Sequence, residues 1–262
     1  MSDSLQLRSV QLRVADLSRS LAFYVDQLGL SLISSTPYQA ELGPPDSVTS
    51  LLTLTQDASA PTPRRDAAGL FHVAMLLPSR AALGHWLRVT AEAGVNLEGF
   101  SDHGVSEAIY LSDPDGNGLE FYADRPREQW PFRDGELQMG TIALNIPDLL
   151  AAGSDHRGLP LTDTRWGHLH LRVTDLDRSE AFYNEQLGLQ RMQRFGASAR
   201  FLGADGYHHH LGMNNWGGVQ EPRISATLGL VEATFARRGI QADRSMVDPD
   251  GISIRETALK DT

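Results

Sequence analysis

The chain lacks cysteine, so disulfides, thiolate metal ligands and a cysteine nucleophile are all excluded. Basic residues are scarce beside acidic ones: 23 Lys and Arg against 33 Asp and Glu give a formal net charge of −10, which disfavours a nucleic-acid-binding surface. No apolar run approaches the ~18 residues that span a bilayer, and the opening MSDSLQLRSV has no signal-peptide pattern. We therefore expect a cytoplasmic protein with no nucleic-acid partner and no membrane partner.

The chain repeats itself. The segment LRVADLSRSLAFYVDQLGL (12–30) aligns without a gap with LRVTDLDRSEAFYNEQLGL (171–189), and 14 of the 19 positions are identical. Each copy reads as a strand followed by a helix, which an aspartate (Asp16, Asp175) would cap at its start. Three short strand-like runs follow each helix, so each copy predicts a βαβββ module of about 50 residues.

One further module follows each of these copies, and each further module carries a DPDG turn between its last two strands. We place the four modules at about 8–57, 69–124, 166–217 and 224–257, the last being truncated, with a helix expected at 231–238. Residues 126–165 are expected to be a linker between an N-terminal half (1–125) and a C-terminal half (166–262). A linker of this length allows modules to pair out of sequence order.

The segment DHGVSEAIYLSDPDGNGLEFY (102–122) holds the residue types of a metal site. Glu120 lies on an apolar strand between Leu119 and Phe121, where a carboxylate needs a partner. We expect Glu120 to be an anionic metal ligand, and His103 and Tyr110 to be proton donors or orienting groups beside it.

Strand alternation sorts the histidines that could supply nitrogen ligands. In GHLHLRV (167–173) the leucines and the valine share one face, so His168 and His170 point to the opposite face. His72 opens the equivalent strand of the second module. Two other histidines are expected to be solvated: His85, in a helix, and His156, in the linker.

The four modules resemble the vicinal-oxygen-chelate superfamily, which includes glyoxalase I, fosfomycin- and bleomycin-resistance proteins and type I extradiol dioxygenases. The strings LFHVAMLLPSR, DHGVSEAIYLSDPDGNGLEFYADRP, GHLHLRVTDL and GYHHHLGMNNW are most similar to the bacterial catechol 2,3-dioxygenase group. The resemblance implies an α+β fold whose modules pair into two half-barrels. It also implies two histidines and one glutamate as metal ligands, the facial triad of non-heme Fe(II) oxygenases.

Only the two central modules can supply this triad. The first module has Ser9 at the position of His168, and the fourth has no histidine and carries Arg255 at the position of Glu120, with a glutamate one residue out of register. We therefore predict His72, His168 and Glu120 as the metal ligands. The second and third modules would pair around the active site, and the first and fourth would pair in a structural role.

The resemblance also implies two proton-handling residues near Glu120. The interval of ten residues between Tyr110 and Glu120, and the HGVS string that begins at His103, both match the family. We therefore expect His103 and Tyr110 to take the family's catalytic positions.

A further catalytic histidine is expected in YHHHLGMNNW (207–216). The match of HLGM to the family's apolar segment favours His209, whereas strand alternation favours His208 and His210. The sequence leaves both interpretations open. Trp216 and its two neighbouring asparagines are candidates for the pocket lining.

The implied function is extradiol ring cleavage, in which catechol or a substituted catechol reacts with O2 to give a 2-hydroxymuconic semialdehyde-type product. The implied cofactor is Fe(II), and Mn(II) also suits these ligands. A small aromatic diol and O2 are the expected partners, and homo-oligomerisation is left open. Two alternatives are a glyoxalase-like metal-dependent isomerase or thiol transferase, and a non-catalytic, ligand-sequestering protein of the bleomycin-resistance kind.

Overall fold

The computed structural model describes residues 4–45, 47–157 and 160–259. Within these residues the helices are α1 (Leu17–Leu21, continuing as a π-helix over Ala22–Gln27), α2 (Arg80–Glu92), α3 (Ile146–Ala152) and α4 (Leu176–Leu187), with a 3-10 turn at Arg127–Gln129. The strands are β1 (Leu5–Val14), β2 (Ser31–Thr36), β3 (Gln39–Gly43), β4 (Leu52–Gln56), β5 (Gly69–Leu76), β6 (Gly99–Asp102), β7 (Ser106–Ser112), β8 (Gly118–Asp124), β9 (Phe132–Arg133), β10 (Glu136–Leu137), β11 (Ile142–Ala143), β12 (Arg165–Arg172), β13 (Gln190–Phe195), β14 (Ala199–Gly203), β15 (Leu211–Asn214), β16 (Gly229–Arg237), β17 (Arg244–Val247) and β18 (Ser253–Ala258).

Two curled sheets contain the strands of all four modules. The nine-stranded sheet has the order β11-β6-β7-β8-β5-β12-β15-β14-β13, and the seven-stranded sheet has the order β17-β18-β16-β1-β4-β3-β2. Antiparallel pairing of β5 with β12 joins the second and third modules, and antiparallel pairing of β1 with β16 joins the first and fourth. The predicted α+β fold of paired half-barrels is confirmed, with the central modules in one sheet.

The repeated helices begin as the sequence predicts. Asp16 accepts a hydrogen bond from the backbone N–H of Arg19, and Asp175 accepts from the N–H groups of the first turn of α4. Gly188 ends α4 in the left-handed region, at φ 58°, which an L side chain rarely adopts. The inner faces of α1 and α4 pack on their sheets within one hydrophobic core.

The helix predicted at 231–238 is wrong, because this segment belongs to β16. Strand β16 lies inside the seven-stranded sheet, where it pairs antiparallel with β1 on one edge and parallel with β18 on the other. Both edges of its backbone are therefore hydrogen-bonded, and β-branched Val231 and Thr234 suit the extended conformation. The truncated fourth module keeps three strands and no helix among its described residues.

Much of the predicted linker packs against the second module. Strand β11 extends the nine-stranded sheet beside β6. Helix α3 lies so close to α2 that a side chain at Gly84 would meet the carbonyl oxygen of Leu149. This contact buries His85 against Arg88 and against the ring of the half-buried His156, so the expected solvation of His85 is wrong. The division into residues 1–125, 126–165 and 166–262 stays a prediction.

None of the described helices combines the length and the apolar character that a membrane crossing requires. The cytoplasmic location stays a prediction.

Two buried tyrosine–aspartate hydrogen bonds tie the two sheets together. The hydroxyl of Tyr24, in the π-helical extension of α1, donates to Asp113 of the first DPDG turn at 2.9 Å. Tyr183 of α4 donates to Asp248 of the second DPDG turn, also at 2.9 Å. Each bond joins a helix of one module pair to a turn of the other pair. The first aspartate of each DPDG motif therefore has a structural role.

Removing either tyrosine hydroxyl should destabilise the fold. We expect Tyr24→Phe and Tyr183→Phe each to lower the free energy of unfolding by about 1–3 kcal/mol, because a buried carboxylate loses a donor that no water replaces. Urea denaturation followed by circular dichroism measures the loss. Tyr38→Phe is the matched control, since Tyr38 is 68% exposed. Equal stability of Tyr24→Phe and Tyr38→Phe would contradict the role of this hydrogen bond.

Candidate metal centre

The register of four neighbouring strands aligns the predicted ligands. Across β7, β8, β5 and β12, a row of paired positions runs Tyr110, Glu120, Ala74 and His168. His72 lies two residues before Ala74 on β5 and therefore points to the same face. Because the side chain of Ala74 is small, it leaves space on this face of the sheet for the side chains of His72, Glu120 and His168.

The three predicted ligands converge on one small volume. The Nε2 atoms of His72 and His168 lie 2.9 and 3.1 Å from Oε2 of Glu120. One ligand atom from each residue lies within 4.8 Å of the others, and all three residues are buried. His72 and Glu120 come from the second module and His168 from the third, so the β5–β12 pairing assembles the cluster.

Charge and burial favour the protonation states that a metal needs. Burial alone raises the pKa of the Glu120 carboxyl, but His168 and His72 more than offset it and hold that pKa well below its usual range. Burial also lowers the pKa of His168, despite the opposing charge of Glu120. An ionised carboxylate beside a neutral imidazole is a pair of ligands in their metal-binding forms.

An unpartnered buried nitrogen shows that the cluster fits a metal ion. Nε2 of His72 is only 2.9 Å from Oε2 of Glu120, yet the two atoms are not aligned as a hydrogen bond, so this buried nitrogen has no hydrogen-bond partner in the part of the chain that the structure describes. A cation between the two imidazoles and the carboxylate satisfies it. Two nitrogens and one oxygen form the 2-His-1-carboxylate set.

His103 and Tyr110 lie side by side at the cavity, as the sequence predicts. Nδ1 of His103 donates to the carbonyl oxygen of Gly140 at 2.6 Å, because a carbonyl can only accept. Nε2 of His103 then accepts from the hydroxyl of Tyr110 at 2.7 Å. Burial, and after it the charge of Glu120, raises the pKa of Tyr110 well above its usual value. Tyr110 is therefore a neutral donor next to the cluster.

Only one of the three consecutive histidines lines the cavity. The segment 208–210 is irregular, since β15 begins at Leu211, so strand alternation does not apply to it. His209 lines the cavity and its ring lies 4.0 Å from that of His168. Nδ1 of His210 instead accepts from the backbone N–H of Ala204, away from the cavity, and burial lowers the pKa of His210 to about 3.

A hydrogen-bonded chain sets the tautomer of His209. Asp124 accepts from Nε2 of His208 at 2.8 Å, and its second oxygen accepts from the hydroxyl of Tyr207. When the ring of His208 is neutral, its Nδ1 is left to accept from Nδ1 of His209 at 2.7 Å. This arrangement leaves Nε2 of His209 with a free lone pair. Burial holds the pKa of His209 well below its usual value, so the ring is neutral.

The cluster opens into a cavity of about 330 Å³. Apart from the metal-site residues, its wall is mostly aromatic and apolar, and it includes residues of the linker that sequence reasoning treated as a spacer. Lining residues that the sequence did not single out are Phe71, Ser101, Val105, Ser106, Met139, Gly140, Thr141, Phe195 and Phe201. The cavity is also lined by His170, which strand alternation had placed on this face, and by Trp216, a candidate from the sequence. Asp124, which ends β8, had no signal in the sequence.

Metal binding should depend on each of the three residues. We expect Glu120→Ala, His72→Ala and His168→Ala each to weaken Mn(II) binding by more than about a hundredfold, since loss of an outer-shell partner alone costs up to about that much. Calorimetric titration of metal-free protein measures the affinity. His156→Ala is the matched control and should bind as the wild type does. Undiminished binding by Glu120→Ala would contradict the assignment of this centre.

Comparison with known proteins agrees with this architecture. The sequence profile of the Glyoxalase/Bleomycin resistance protein/Dioxygenase superfamily matches residues 6–121 and 165–242. The protein named catechol-2,3-dioxygenase of Bacillus subtilis (strain 168) is 45% identical over 216 residues, which cover 81% of this chain and 75% of that protein.

Two solved structures superpose over nearly the whole chain. Glyoxalase I from Zea mays has a TM-score of 0.60 at 18% identity, covering 98% of this chain and 93% of that chain. A putative dioxygenase from Bacillus subtilis subsp. subtilis str. 168 has a TM-score of 0.62 at 12% identity, covering 98% and 86%. At such identities the likeness shows the fold alone. With the profile match and the 45% identical relative, the chain belongs to the glyoxalase/bleomycin resistance/dioxygenase superfamily.

Proposed function

We propose that the protein is an extradiol dioxygenase that cleaves catechol or a substituted catechol with O2 to a 2-hydroxymuconic semialdehyde-type product. The observation that carries the proposal is a buried 2-His-1-carboxylate cluster at the floor of an aromatic-walled cavity. A neutral histidine, His209, and a hydrogen-bonded pair, His103 and Tyr110, line the same cavity. The 45% identical relative that is named catechol-2,3-dioxygenase supports the same activity.

The proposed cofactor is Fe(II), held by His72, His168 and Glu120. Mixed nitrogen and oxygen ligands also suit Mn(II). When bound, such an ion lowers the pKa of a catechol hydroxyl and offers open positions to the diol and to O2. The residues around the cluster then have to move protons and keep water away.

His209 is the proposed proton acceptor for the diol. Its Nε2 carries a free lone pair, because Nδ1 is committed to His208. A catechol hydroxyl can pass its proton to this nitrogen, and the resulting imidazolium can return a proton later in the reaction. His208 and Asp124 position the ring and stabilise its positive charge, so their role is indirect.

Tyr110 is the proposed donor on the opposite side of the cluster, and His103 orients its hydroxyl. The hydroxyl of Tyr110 is neutral and can turn its proton from His103 to a substrate oxygen. His103 is held in place by the carbonyl of Gly140. The side chains of Phe71, Phe201 and Met139 surround this chemistry with apolar surface, which restricts water.

The structure disfavours the glyoxalase-like alternative. The family resemblance implies that glyoxalase-like sites take one carboxylate from each of the two paired modules. Glu120 pairs with Ala74, two residues after His72. In the third module, His170 lies two residues after His168 and pairs with Gly212. The third module therefore offers no side chain where the second offers Glu120.

The activity can be tested directly. Protein loaded anaerobically with Fe(II), mixed with catechol and then exposed to air, should consume O2 and form the visible chromophore of a ring-fission product. We expect Glu120→Ala to abolish both signals and His156→Ala to leave them unchanged. Absence of O2 uptake by fully iron-loaded wild type would contradict the proposal. Isomerisation of a thiol adduct without O2 uptake would favour the glyoxalase-like alternative.

Replacement of His209 and replacement of His210 should differ in their effect on turnover. We expect His209→Gln to lower kcat by about 10²–10⁴-fold, the usual contribution of general acid–base catalysis, while Fe(II) affinity stays within about threefold. His210→Gln is the matched comparison and should lose far less, because His210 does not line the cavity. Steady-state ring-fission rates measure the difference. Equal losses in both variants would contradict the assignment of His209.

A further inference from the structure

His170 lines the cavity but has no part in the proton transfers above. It lies directly opposite His72 across the β5–β12 pair and is buried. Its ring covers Gly212, where a Cβ atom would come within 2.8 Å of the imidazole. The glycine at the position equivalent to Glu120 therefore makes room for this histidine.

Two hydrogen bonds fix the side-chain amide of Asn214 against His170. The backbone N–H of Trp216 donates to Oδ1 of Asn214 at 3.1 Å, so this atom is the amide oxygen. The amide nitrogen then faces Nε2 of His170 at 3.0 Å. Asn214 is fully buried, so water does not compete for the hydrogen bonds of its side-chain amide.

This contact sets the tautomer of His170. An amide nitrogen can only donate, so Nε2 of His170 is the acceptor and carries no hydrogen. The ring hydrogen must then lie on Nδ1. Among the described residues Nδ1 has no hydrogen-bond partner, although the ring lines the cavity.

The surroundings of His170 leave its Nδ1–H group as an isolated polar donor. The rings of Phe71, Phe201 and Trp216 lie 5.0, 5.8 and 5.8 Å from the imidazole. A donor within an aromatic wall loses free energy unless an acceptor meets it, so it favours ligands that carry an acceptor over ligands that do not.

We propose that His170 determines substrate specificity by donating its Nδ1–H to an acceptor on a ring substituent of the bound diol. The substrates favoured are catechols that carry a carbonyl or carboxylate substituent, over catechols with an alkyl group of similar size. This inference rests on the proposed binding of a diol at the metal centre. It assigns Asn214 as a positioning residue that acts through His170.

The tautomer can be tested without metal, substrate or activity. In ¹⁵N-labelled, metal-free protein at mildly alkaline pH, the imidazole signals of His170 are assigned by their absence in His170→Phe. We expect the hydrogen on Nδ1 in the wild type and in Asn215→Asp, and on Nε2 in Asn214→Asp, where a carboxylate replaces the amide donor. A wild-type ring with its hydrogen on Nε2 would overturn the proposal.

Ligand binding tests the specificity itself. Anaerobic calorimetry compares 3,4-dihydroxybenzaldehyde with 4-methylcatechol, which is matched in size but has no acceptor, on Fe(II)-loaded protein. We expect His170→Phe and Asn214→Asp to weaken binding of the aldehyde relative to the methyl compound by about three- to tenfold, the range of one neutral hydrogen bond. Asn215 does not line the cavity, so Asn215→Asp, which adds the same charge one residue away, should leave the ratio of the two affinities unchanged.

The outcomes separate this inference from the proposed function. An unchanged ratio in both His170→Phe and Asn214→Asp overturns the role of His170, whatever the ring-fission activity. A changed ratio in a protein that binds both diols but forms no ring-fission product supports the role of His170 and contradicts the proposed function.

Discussion

The antiparallel pairing of β5 with β12 is the constraint on which the site depends. It joins the second and third modules and places His72 and His168 on one face of the sheet, where Ala74 lies between His168 and Glu120. A one-residue slip in this register would turn a histidine to the far side of the sheet. Packing of the whole hydrophobic core against the strands prevents such a slip, so core packing and ligand geometry are specified together.

The same pairing explains why the chain uses its modules out of order. Once the central modules share a sheet, the first and fourth are left to pair through β1 and β16. The two tyrosine–aspartate hydrogen bonds then join each helix to a DPDG turn of the other sheet. The second DPDG turn has no metal ligand after it, yet its aspartate is retained in a buried structural contact. Both DPDG turns therefore have a structural role, and only the first also precedes a predicted metal ligand.

Around the metal cluster, the polar groups share one arrangement. Each histidine that could meet a substrate has one ring nitrogen held by the protein, which decides what the other nitrogen can do. The carbonyl of Gly140 holds His103, His208 holds His209, and Asn214 holds His170. Burial keeps His209 and His170 neutral, since it lowers the pKa of both well below the usual value. In the proposed acceptor, His209, the protein holds Nδ1, and in the proposed donor, His170, it holds Nε2.

The amino-acid sequence by itself determined the local features and the candidate ligands. Neighbouring residues are enough to identify the internal repeat, the aspartate caps and the spacing around Glu120. Strand alternation orients His168 and His170 without tertiary information. The absence of ligands in the outer modules also pointed to the central pair. Sequence reasoning failed at 231–238, where pairing on both edges makes a strand of a segment that resembled a helix.

Only the tertiary structure showed that His209, and not His208 or His210, lines the cavity, because the three histidines lie in an irregular segment whose side chains follow no period. It also brought Asp124 behind His208 and packed the linker over the cavity. These contacts join residues distant in the chain, so their geometry depends on how the modules pack. Packing between modules, rather than local pattern, thus determined the tautomers and the cavity wall.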